Sequence, residues 1–470
     1  MTLRHWQAEC ITRAYQAYCG GQPHFLCLAT PGAGKTWMAS ALAKRLMDAG
    51  LVDLVVCFAP SVIVADDFRT ELETQFEESF DGLLGSRGRT LTYQAMLSIN
   101  DSFWDLFRRQ RVFAIFDEIH HCAGQTPETA NAWGERVISR VQGQAAYTLA
   151  LTGTPWRSDA IPIALSYYCR DNGQIHCDYR YGLARAIADG VCRSPQLTIV
   201  DNDRITIQRR NALDRYANFR ELLAESECTY QQLLETEALI TYILQQANHT
   251  LTRIRATSPN AGGLIVAASV SHAHFIADLL VRTCGESAAI ATYREDDPLA
   301  TIRSYKRNRD KWIISVGMIS EGTNVPRLRV CCHLTRVKTE LYFRQILGRI
   351  LRANGLSGEK GYLYMPAEPT LIEYAERLAE DIPTVQPVKF EVMRPTRGGD
   401  LPSPSRQKNP PAQSDMRIIF GTKFATPVQP TVDQSQSIAP STLRESYELT
   451  LNMFGRFHRE LLTINGLDSE

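Results

Sequence analysis

The sequence predicts an α/β fold of two tandem domains, each with a mostly parallel sheet, joined by a helical connection and followed by a flexible C-terminal tail. Apolar runs such as 54–59 and 112–116 have the continuous hydrophobicity of strands buried on both faces of a parallel sheet. Amphipathic helical stretches alternate with these runs. A second strand–helix series begins at residue 262, and a proline-rich segment follows residue 383.

Composition limits the partners and the compartment. The 51 basic and 51 acidic residues balance, so any contact with a polyanion requires a local basic patch or groove. The 12 cysteines contain no Cys-x-x-Cys pair, and several lie in apolar runs, which indicates reduced thiols. The N-terminus lacks an apolar signal core, and no apolar run is long enough to cross a bilayer. We therefore expect a cytoplasmic protein with no membrane partner.

The first motif is a glycine-rich loop, Ala-Thr-Pro-Gly-Ala-Gly-Lys-Thr at 29–36, between a predicted strand at 25–28 and a predicted helix at 37–47. Glycines permit backbone dihedrals that turn N–H groups onto phosphates at the positive end of the helix. Lys35 is expected to reach the β and γ phosphates, and the Thr36 hydroxyl to hold Mg²⁺. The predicted nucleotide-binding residues of the loop are Thr30, Pro31, Gly32, Ala33, Gly34, Lys35 and Thr36.

Two further strands end in polar residues that suit catalysis at this loop. The run 112–116 delivers Asp117, which can hold Mg²⁺ through water, and Glu118, which can orient and polarise the water that attacks the γ-phosphate. The residues at 120–122, His-His-Cys, have no second ligand pair at zinc spacing. The strand at 147–151 leads to Thr152 and Thr154, where an element coupling the nucleotide to a polymer is expected.

A downstream segment, 342–352, carries two arginines and a glutamine at helical spacing. Gln345, Arg349 and Arg352 lie at steps of four and three, so one helix face can present all three. Two guanidiniums together can neutralise charge on a transferring phosphoryl group, although a solvated basic helix is the simpler alternative. Gly348 costs a helix about 1 kcal/mol and suggests close approach to another element.

Other polar residues are candidates with plainer alternatives. Gln7 offers the donor and acceptor that the N6/N7 edge of adenine requires, although a lone glutamine at a helix start is more often solvated. Polar residues at strand ends can touch a bound nucleic acid, or can simply cap helices and turns. The nucleic-acid candidates are Pro60, Ser61, Thr92, Tyr93, Gln94, Ser269 and Thr323.

The segments 29–36, Asp-Glu-Ile-His at 117–120 and Leu-Thr-Gly-Thr-Pro at 151–155 resemble motifs I, II and III of superfamily 2 helicases and translocases, the DEAD/DEAH-box class. That family often carries Ala at the first loop position. The segments at 321–326 and 345–352 are similar to its motifs V and VI. Thr-Tyr-Gln at 92–94 and Asp-Glu-Ile-His-His resemble the branch of phage, restriction-type and repair-type duplex translocases more than RNA helicases, whose motif II usually reads Asp-Glu-Ala-Asp.

The resemblance covers about residues 3–366 and implies two RecA-like domains with the ATP site in the cleft between them. It implies that Arg349 and Arg352 are arginine fingers, that Gln345 contacts the γ-phosphate and that Gly322 lies near the nucleotide. Arg4 and Gln7 fall where that family's adenine-reading motif lies. The expected boundaries are 1–207 for RecA-like domain 1, 208–260 for the helical connection, 261–382 for RecA-like domain 2, 383–441 for a Pro/Ser-rich linker and 442–470 for a C-terminal helix.

The function expected from these features is an ATP-dependent helicase or translocase that acts on nucleic acid, with DNA favoured, and uses ATP and Mg²⁺. An RNA helicase, or a nucleic-acid-stimulated ATPase acting as a motor or switch subunit of a larger restriction, defence or repair assembly, remains as an alternative. The C-terminal segment is expected to dock on the core or to bind a protein partner.

Overall fold

A computed structural model describes residues 2–154, 161–169, 175–209, 212–319, 325–353, 358–381, 390–392, 450–453 and 457–463. Six strands form the sheet of the first lobe, in the order β3-β2-β4-β5-β1-β6, and all neighbouring strands run parallel. The strands are β1 His24–Ala29, β2 Leu54–Ala59, β3 Gly88–Thr92, β4 Val112–Phe116, β5 Tyr147–Thr152 and β6 Tyr179–Tyr181.

Helices cover both faces of this sheet. In β2, Val55 and Cys57 belong to the core under one helical layer, and Val56 and Phe58 to the core under the other. Burial on both faces explains why the strands are continuously apolar, as predicted. One layer holds α1 His5–Cys19, α2 Lys35–Asp48, α3 Val62–Phe76 and α8 Leu183–Ala188, and the other holds α4 Tyr93–Met96, α5 Asp101–Trp104, α6 Leu106–Arg109 and α7 Ala132–Arg140.

The second lobe has a larger sheet, in the order β11-β12-β10-β13-β14-β7-β17-β15. Its strands run parallel from β11 to β7, and β17 pairs antiparallel with both β7 and β15. The strands are β7 Ser194–Asn202, β10 Gly262–Ala267, β11 Ala288–Ala291, β12 Trp312–Ser315, β13 Leu328–Leu334, β14 Lys360–Pro366, β15 Phe390–Val392 and β17 Phe457–Thr463.

Seven helices of the described residues belong to the second lobe, together with a small antiparallel sheet in the order β16-β8-β9. The helices are α9 Phe219–Glu225, α10 Tyr230–Leu234, α11 Glu237–Thr257, α12 Val270–Cys284, α13 Pro298–Arg307, α14 Glu340–Ile350 and α15 Pro369–Asp381. The strands of the small sheet are β8 Ile205–Arg209, β9 Ala212–Tyr216 and β16 Thr450–Met453. The two lobes thus confirm the predicted α/β class with mostly parallel sheets.

The predicted domain boundaries differ from this arrangement in two places. Strand β7 lies before residue 207 but pairs with β14 of the second sheet, so the first lobe ends before Ser194. The segment 208–260 is not a separate connection, because Ile240, Ile243 and Leu251 of α11 lie in the core of the second lobe. In both cases the partner strand or core lies far along the chain, where local sequence patterns carry no signal.

Two predicted helices also differ. The segment 179–191, whose sequence pattern predicts a helix closed by Gly190, begins as strand β6, and only Leu183–Ala188 is helical. The Tyr181 ring of β6 stacks on Trp6 at 4.7 Å between centroids. The predicted C-terminal helix at 442–470 is wrong where the chain is described, because 450–453 and 457–463 are strands that complete the two sheets of the second lobe. The predicted linker at 383–441 falls outside the described residues, except for β15.

Candidate functional site: a cleft between the two lobes

The glycine-rich loop joins β1 to α2, as predicted. Gly32 and Gly34 have φ angles of 86° and 96°, in the left-handed region that glycine adopts without steric cost. Gly34 is the N-terminal cap of α2, so the loop ends at the positive pole of that helix. This combination suits an anion.

Lys35 is buried at the start of α2 and is held from two directions. Its Nζ donates to the Ala29 carbonyl at 3.2 Å and lies 3.2 Å from Glu118 Oε1. The ammonium group therefore points back over the loop towards the end of β4, and Thr36 beside it lines the same cleft. Lys35 and Glu118, which are far apart in sequence, meet because β1 and β4 end at the same edge of the sheet, with β5 between them.

The two carboxylates after β4 differ in environment. Asp117 is 7% exposed, and its Oδ1 has no hydrogen-bond partner among the described residues. Burial and the adjacent Glu118 carboxylate raise the pKa of Asp117 to about 7. An unpartnered buried carboxylate oxygen in a cleft suits a cation, which would favour its ionised form.

Glu118 is held ionised. Burial acts to raise its pKa, but the charges of Lys35 and His120 and the Gly153 N–H group lower it to about 2. Its φ of 52° is uncommon for a residue with a side chain. Such strain persists where the surrounding structure fixes the residue, and it often accompanies function. Glu118 is thus a fixed, charged acceptor beside the lysine.

A chain of polar contacts links Glu118 to the end of β5. The Gly153 N–H donates to Glu118 Oε2 at 3.2 Å, and His120 Nδ1 lies 3.4 Å from the same oxygen and 3.0 Å from Thr152 Oγ1. Thr152 Oγ1 donates to the Thr154 carbonyl at 2.7 Å and accepts from its N–H at 3.1 Å. Thr152 and Thr154, the two threonines predicted to couple the sites, are therefore linked through His120 to the end of β4. His120 joins this network, a role that the sequence analysis did not foresee.

Arg4 and Gln7, at the start of α1, contact the loop rather than open solvent. The Gln7 amide donates to the Gly34 carbonyl at 2.9 Å and accepts from the Arg4 backbone N–H at 2.8 Å. The Arg4 guanidinium donates to the Ala33 carbonyl at 2.7 Å. Both side chains line the cleft, and Gln7 is buried. Gln7 is therefore not solvated, and both residues lie beside the glycine-rich loop.

The second lobe contributes Gln345, Arg349 and Arg352 to the same cleft, which has a volume of about 780 Å³. Gln345 and Arg349 lie on α14 and are each 7% exposed, so the helix does not present them to solvent. The predicted helix is too long by two residues, because α14 ends at Ile350 and Arg352 forms a β-bridge with Cys192 instead. All three side chains nevertheless line one cavity.

Arg352 faces carboxylates of the first lobe. Burial lowers its pKa, while the negative charges of Asp67, Asp117 and Glu118 oppose that effect. Asp67, Thr70 and Glu71 of α3 also line the cavity. These three residues were not predicted from the sequence, although their spacing of three and four residues places them on one helix face.

Glycines allow the two lobes to approach closely at the loop. A Cβ on Gly348 would lie 2.5 Å from Pro31 Cβ, and one on Gly32 would lie 2.7 Å from Arg352 Cγ. Both distances are far below a normal carbon–carbon contact, so these positions accept no side chain while the lobes are in this position. The close approach predicted for Gly348 is thus to the loop of the first lobe.

Among the nucleic-acid candidates, three hydroxyls cap helices at the carboxyl edges of the sheets. Ser61, Thr92 and Ser269 accept from the N–H groups of Val64, Ala95 and His272, as in ordinary N-caps. Pro60 and Ser269 are half-buried, and Gln94 is exposed.

Tyr93 is not available to a ligand. Its side chain is fully buried, stacks on Trp133 and donates a hydrogen bond to the Asp117 carbonyl at 2.8 Å. The prediction that it contacts nucleic acid is therefore wrong, and its role is to support the end of β4. Gly322 and Thr323 lie outside the described residues.

The described part of the chain contains neither a membrane-spanning helix nor a cluster of metal-ligating side chains. No helix in it is long and apolar enough to cross a membrane. No group of three or more His, Cys, Asp and Glu side chains in the same residues is arranged to hold a metal ion.

The first lobe matches the model of a known family. Residues 1–157 match the model of the family described as "Type III restriction enzyme, res subunit". The match covers the first lobe as far as Thr154, and so includes the loop, the paired carboxylates and the coupling threonines.

Two mycobacterial relatives extend the similarity into the second lobe. Uncharacterized proteins of Mycobacterium leprae (strain TN) and Mycobacterium tuberculosis (strain ATCC 25618 / H37Rv) are each 30% identical to this chain over 391 residues, or 80% of it. The chain spans 64% and 63% of the lengths of these two proteins.

Two solved structures share the fold. A fragment assigned to the HsdR subunit of a type I restriction enzyme from Vibrio vulnificus YJ016 matches with a TM-score of 0.52 and 17% identity, over 77% of this chain and 63% of that one. The ATP-dependent type ISP restriction-modification enzyme LlaBIII, bound to DNA, matches with a TM-score of 0.53 and 13% identity, over 81% of this chain and 30% of that one. With the two-lobed fold and the cleft, the family match of the first lobe and the shared fold of these structures support a superfamily 2 helicase-like protein.

Proposed function

We propose that this chain is an ATP-driven motor that moves along or unwinds nucleic acid, with DNA as its substrate. The observation that carries the proposal is the cleft itself. A buried lysine and two carboxylates from one lobe face a buried glutamine and two arginines from the other, across a cavity of about 780 Å³.

The residues of the cleft fit ATP with Mg²⁺. The loop backbone, Lys35 and Thr36 would hold the phosphates, while Thr36 and Asp117 would hold the metal ion, which supplies positive charge to the phosphates when bound. The unpartnered Asp117 Oδ1 and the left-handed glycines at the start of α2 support this assignment. A phosphate at Lys35 would replace Glu118 as the partner of the ammonium group.

Hydrolysis then requires three tasks of the side chains. Glu118 accepts a hydrogen bond from the attacking water and orients it, because its carboxylate is ionised and fixed by Gly153. Arg349 and Arg352 neutralise the charge on the transferring phosphoryl group. Gln345 contacts that group from the second lobe.

Both lobes must approach for these tasks to be completed, so ATP favours the closed cleft and hydrolysis releases it. Closure and release would move the carboxyl edges of the two sheets relative to each other. Ser61, Thr92, Gln94 and Ser269 lie at those edges and are the proposed backbone contacts, with Pro60 and Thr323.

DNA is preferred to RNA on three grounds. The family model that matches the first lobe describes restriction-enzyme subunits, and one solved structure with this fold is bound to DNA. The sequence of the second motif also resembles duplex translocases. An RNA substrate, or a role as an ATPase subunit of a larger assembly, is an alternative outcome of the experiment below.

The test is ATP turnover by the purified chain with no nucleic acid, duplex DNA, single-stranded DNA and RNA, together with a strand-displacement assay. Lys35→Ala serves as the control for contaminating ATPases. We expect DNA to stimulate turnover by about ten-fold or more through closure of the cleft. Stimulation by RNA alone would overturn the choice of DNA, and absence of turnover under every condition would overturn the proposed activity.

A further inference from the structure

Arg193 lies in the short connection between the lobes, after α8 and directly before β7, and has no place in the cleft described above. Its side chain is only 2% exposed. An arginine is rarely buried to this extent unless its donors are satisfied by specific partners.

The guanidinium group of Arg193 binds four parts of the second lobe at once. Its Nε donates to Glu359 Oε2 at 2.7 Å, and its terminal nitrogens donate to the carbonyls of Leu328 at 2.8 Å, Ile350 at 3.2 Å and Pro326 at 3.3 Å. Ile350 is the last residue of α14, whose final carbonyls have no partner within the helix. Arg193 therefore anchors the end of the helix that carries Arg349.

The backbone of the connection continues this anchor to Arg352. The Arg193 N–H donates to the Leu351 carbonyl at 2.7 Å, and Cys192 forms the β-bridge with Arg352. Cys192 also places its Sγ 3.8 Å from the Pro31 carbonyl of the glycine-rich loop. The connection thus lies between the loop of one lobe and the segment of the other that delivers Arg352.

Glu359 has a second arginine partner that allows a matched comparison. Arg329 donates to Glu359 Oε1 at 2.8 Å and to the Lys360 carbonyl at 3.1 Å, and neither contact involves α14. Removing either arginine leaves the half-buried Glu359 carboxylate with one partner fewer, which destabilises the lobe. Only the loss of Arg193 also releases the carbonyl of Ile350.

We propose that Arg193 is a positioning residue for ATP hydrolysis, which holds the end of α14 and the following segment so that Arg349 and Arg352 face the phosphates. The expected effect on kcat rests on the proposed ATPase activity, whereas the expected effect on the end of α14 does not. Lysine cannot replace arginine here, because a single ammonium group lacks the planar fork that reaches four acceptors.

The experiment compares Arg193→Lys and Arg193→Met with Arg329→Met, all in the full chain. We expect the Arg193 variants to lose roughly 10²-fold in kcat, since small misplacements of catalytic groups have effects of this size, while ATP affinity changes less than about two-fold. Arg329→Met should lower the melting temperature similarly and keep kcat within about two-fold of the wild type. Equal losses of kcat in the Arg329 and Arg193 variants, or unchanged kcat in folded Arg193→Lys, would overturn the proposal.

A triple variant separates positioning from general destabilisation. If Arg193 acts through Arg349 and Arg352, adding Arg193→Lys to the double variant Arg349→Ala/Arg352→Ala should cost little further turnover, whereas independent effects would multiply. Multiplication would overturn the proposal.

Hydrogen exchange gives a readout that does not depend on activity. Amides of residues 350–353 should exchange about ten-fold faster in Arg193→Lys than in Arg329→Met. Faster exchange in a chain that hydrolyses no ATP would retain the positioning role and reject the proposed function. Unchanged exchange in a chain that does hydrolyse ATP would reject the positioning role and retain the proposed function.

Discussion

At the scale of single residues, Glu118 carries the most specific chemical claim. Its left-handed backbone, its contact with Lys35 and the Gly153 N–H group all hold an ionised carboxylate at the end of β4. Asp117, one residue earlier, is more buried and has its pKa raised, so neighbouring carboxylates are set for different tasks. Asp117 suits a cation, and Glu118 suits a water molecule.

We expect Glu118→Gln to bind ATP normally and to lose about 10²- to 10⁴-fold in turnover, because an amide cannot accept the proton of the attacking water. The measurement is ATP affinity and single-turnover hydrolysis. Glu128→Gln, at an exposed position, is the control and should behave as the wild type. A Glu118→Gln variant that hydrolyses ATP at the normal rate refutes the role given to this residue.

Lys35→Ala tests the phosphate site of the same lobe. We expect ATP affinity to fall by about ten- to a hundred-fold, the effect of losing one hydrogen bond to a charged group. Lys44→Ala, later on the same helix and paired with Asp48, should leave ATP affinity unchanged. Equal affinities in Lys35→Ala and the wild type would place the phosphates elsewhere.

At the scale of elements, α14 shows how far the sequence alone could lead. Its periodicity places Gln345 and Arg349 on one face, and both are buried in the cleft as the pattern indicated. The end of the helix was not predictable, because Arg352 leaves the helix to bridge Cys192, which is 160 residues earlier in the chain. The same limit applies to β7, which pairs with β14 across a similar distance.

The loop, the paired carboxylates and the coupling threonines were predictable because each occupies a few consecutive residues after an apolar strand. Tyr93 was not, because a tyrosine at a strand end can point to solvent or to the core, and only packing against Trp133 decides. The positions of His120 and of the α3 residues at the cleft were also not predictable, because they depend on which strand ends are neighbours in space.

Gly348 of α14 provides a test of close approach between the lobes. Alanine at this position should favour the helix by about 1 kcal/mol, yet its Cβ would lie 2.5 Å from Pro31. We expect Gly348→Ala to keep or raise the melting temperature and to lower kcat by about ten-fold or more, since the lobes cannot close fully. Gly182→Ala, where a Cβ meets nothing within 4 Å, is the control. Normal turnover in Gly348→Ala would argue against this closed position.

A buried histidine on β13 predicts how the stability of the second lobe depends on pH. His333 is fully buried near the rings of Tyr342 and Phe343, and burial lowers its pKa from 6.5 to about 4. Between these values the unfolded chain binds the proton and the folded chain does not. Stability should therefore be constant above about pH 6.5 with respect to this group and fall as the pH drops from 6.5 towards 4.

The slope from this group cannot exceed about 1.4 kcal/mol per pH unit. Urea unfolding between pH 7 and 5 measures it, with His333→Leu expected to flatten the decline. His274→Gln, at a half-exposed position beside Glu295, should leave the slope unchanged. If stability declines equally steeply with falling pH in His333→Leu, other titratable groups cause the decline.

At the scale of the whole molecule, the central claim is that each lobe supplies half of one ATP site. The first lobe brings Lys35, Asp117 and Glu118, and the second brings Arg349 and Arg352. Arg352 of the second lobe lines the same cleft as Asp67, Asp117 and Glu118 of the first lobe, which is the clearest sign that the two halves belong together. Movement along a nucleic-acid strand would follow from closing and opening this shared site.

The most direct measurement compares turnover of bound ATP in Arg349→Ala and Arg352→Ala with that in Arg344→Ala, whose side chain is on α14 but pairs with Glu340. The account predicts that the first two lose about 10³-fold in hydrolysis rate while ATP affinity, set mainly by the first lobe, stays within about ten-fold, and that Arg344→Ala hydrolyses normally. Hydrolysis at the wild-type rate in both Arg349→Ala and Arg352→Ala would contradict it.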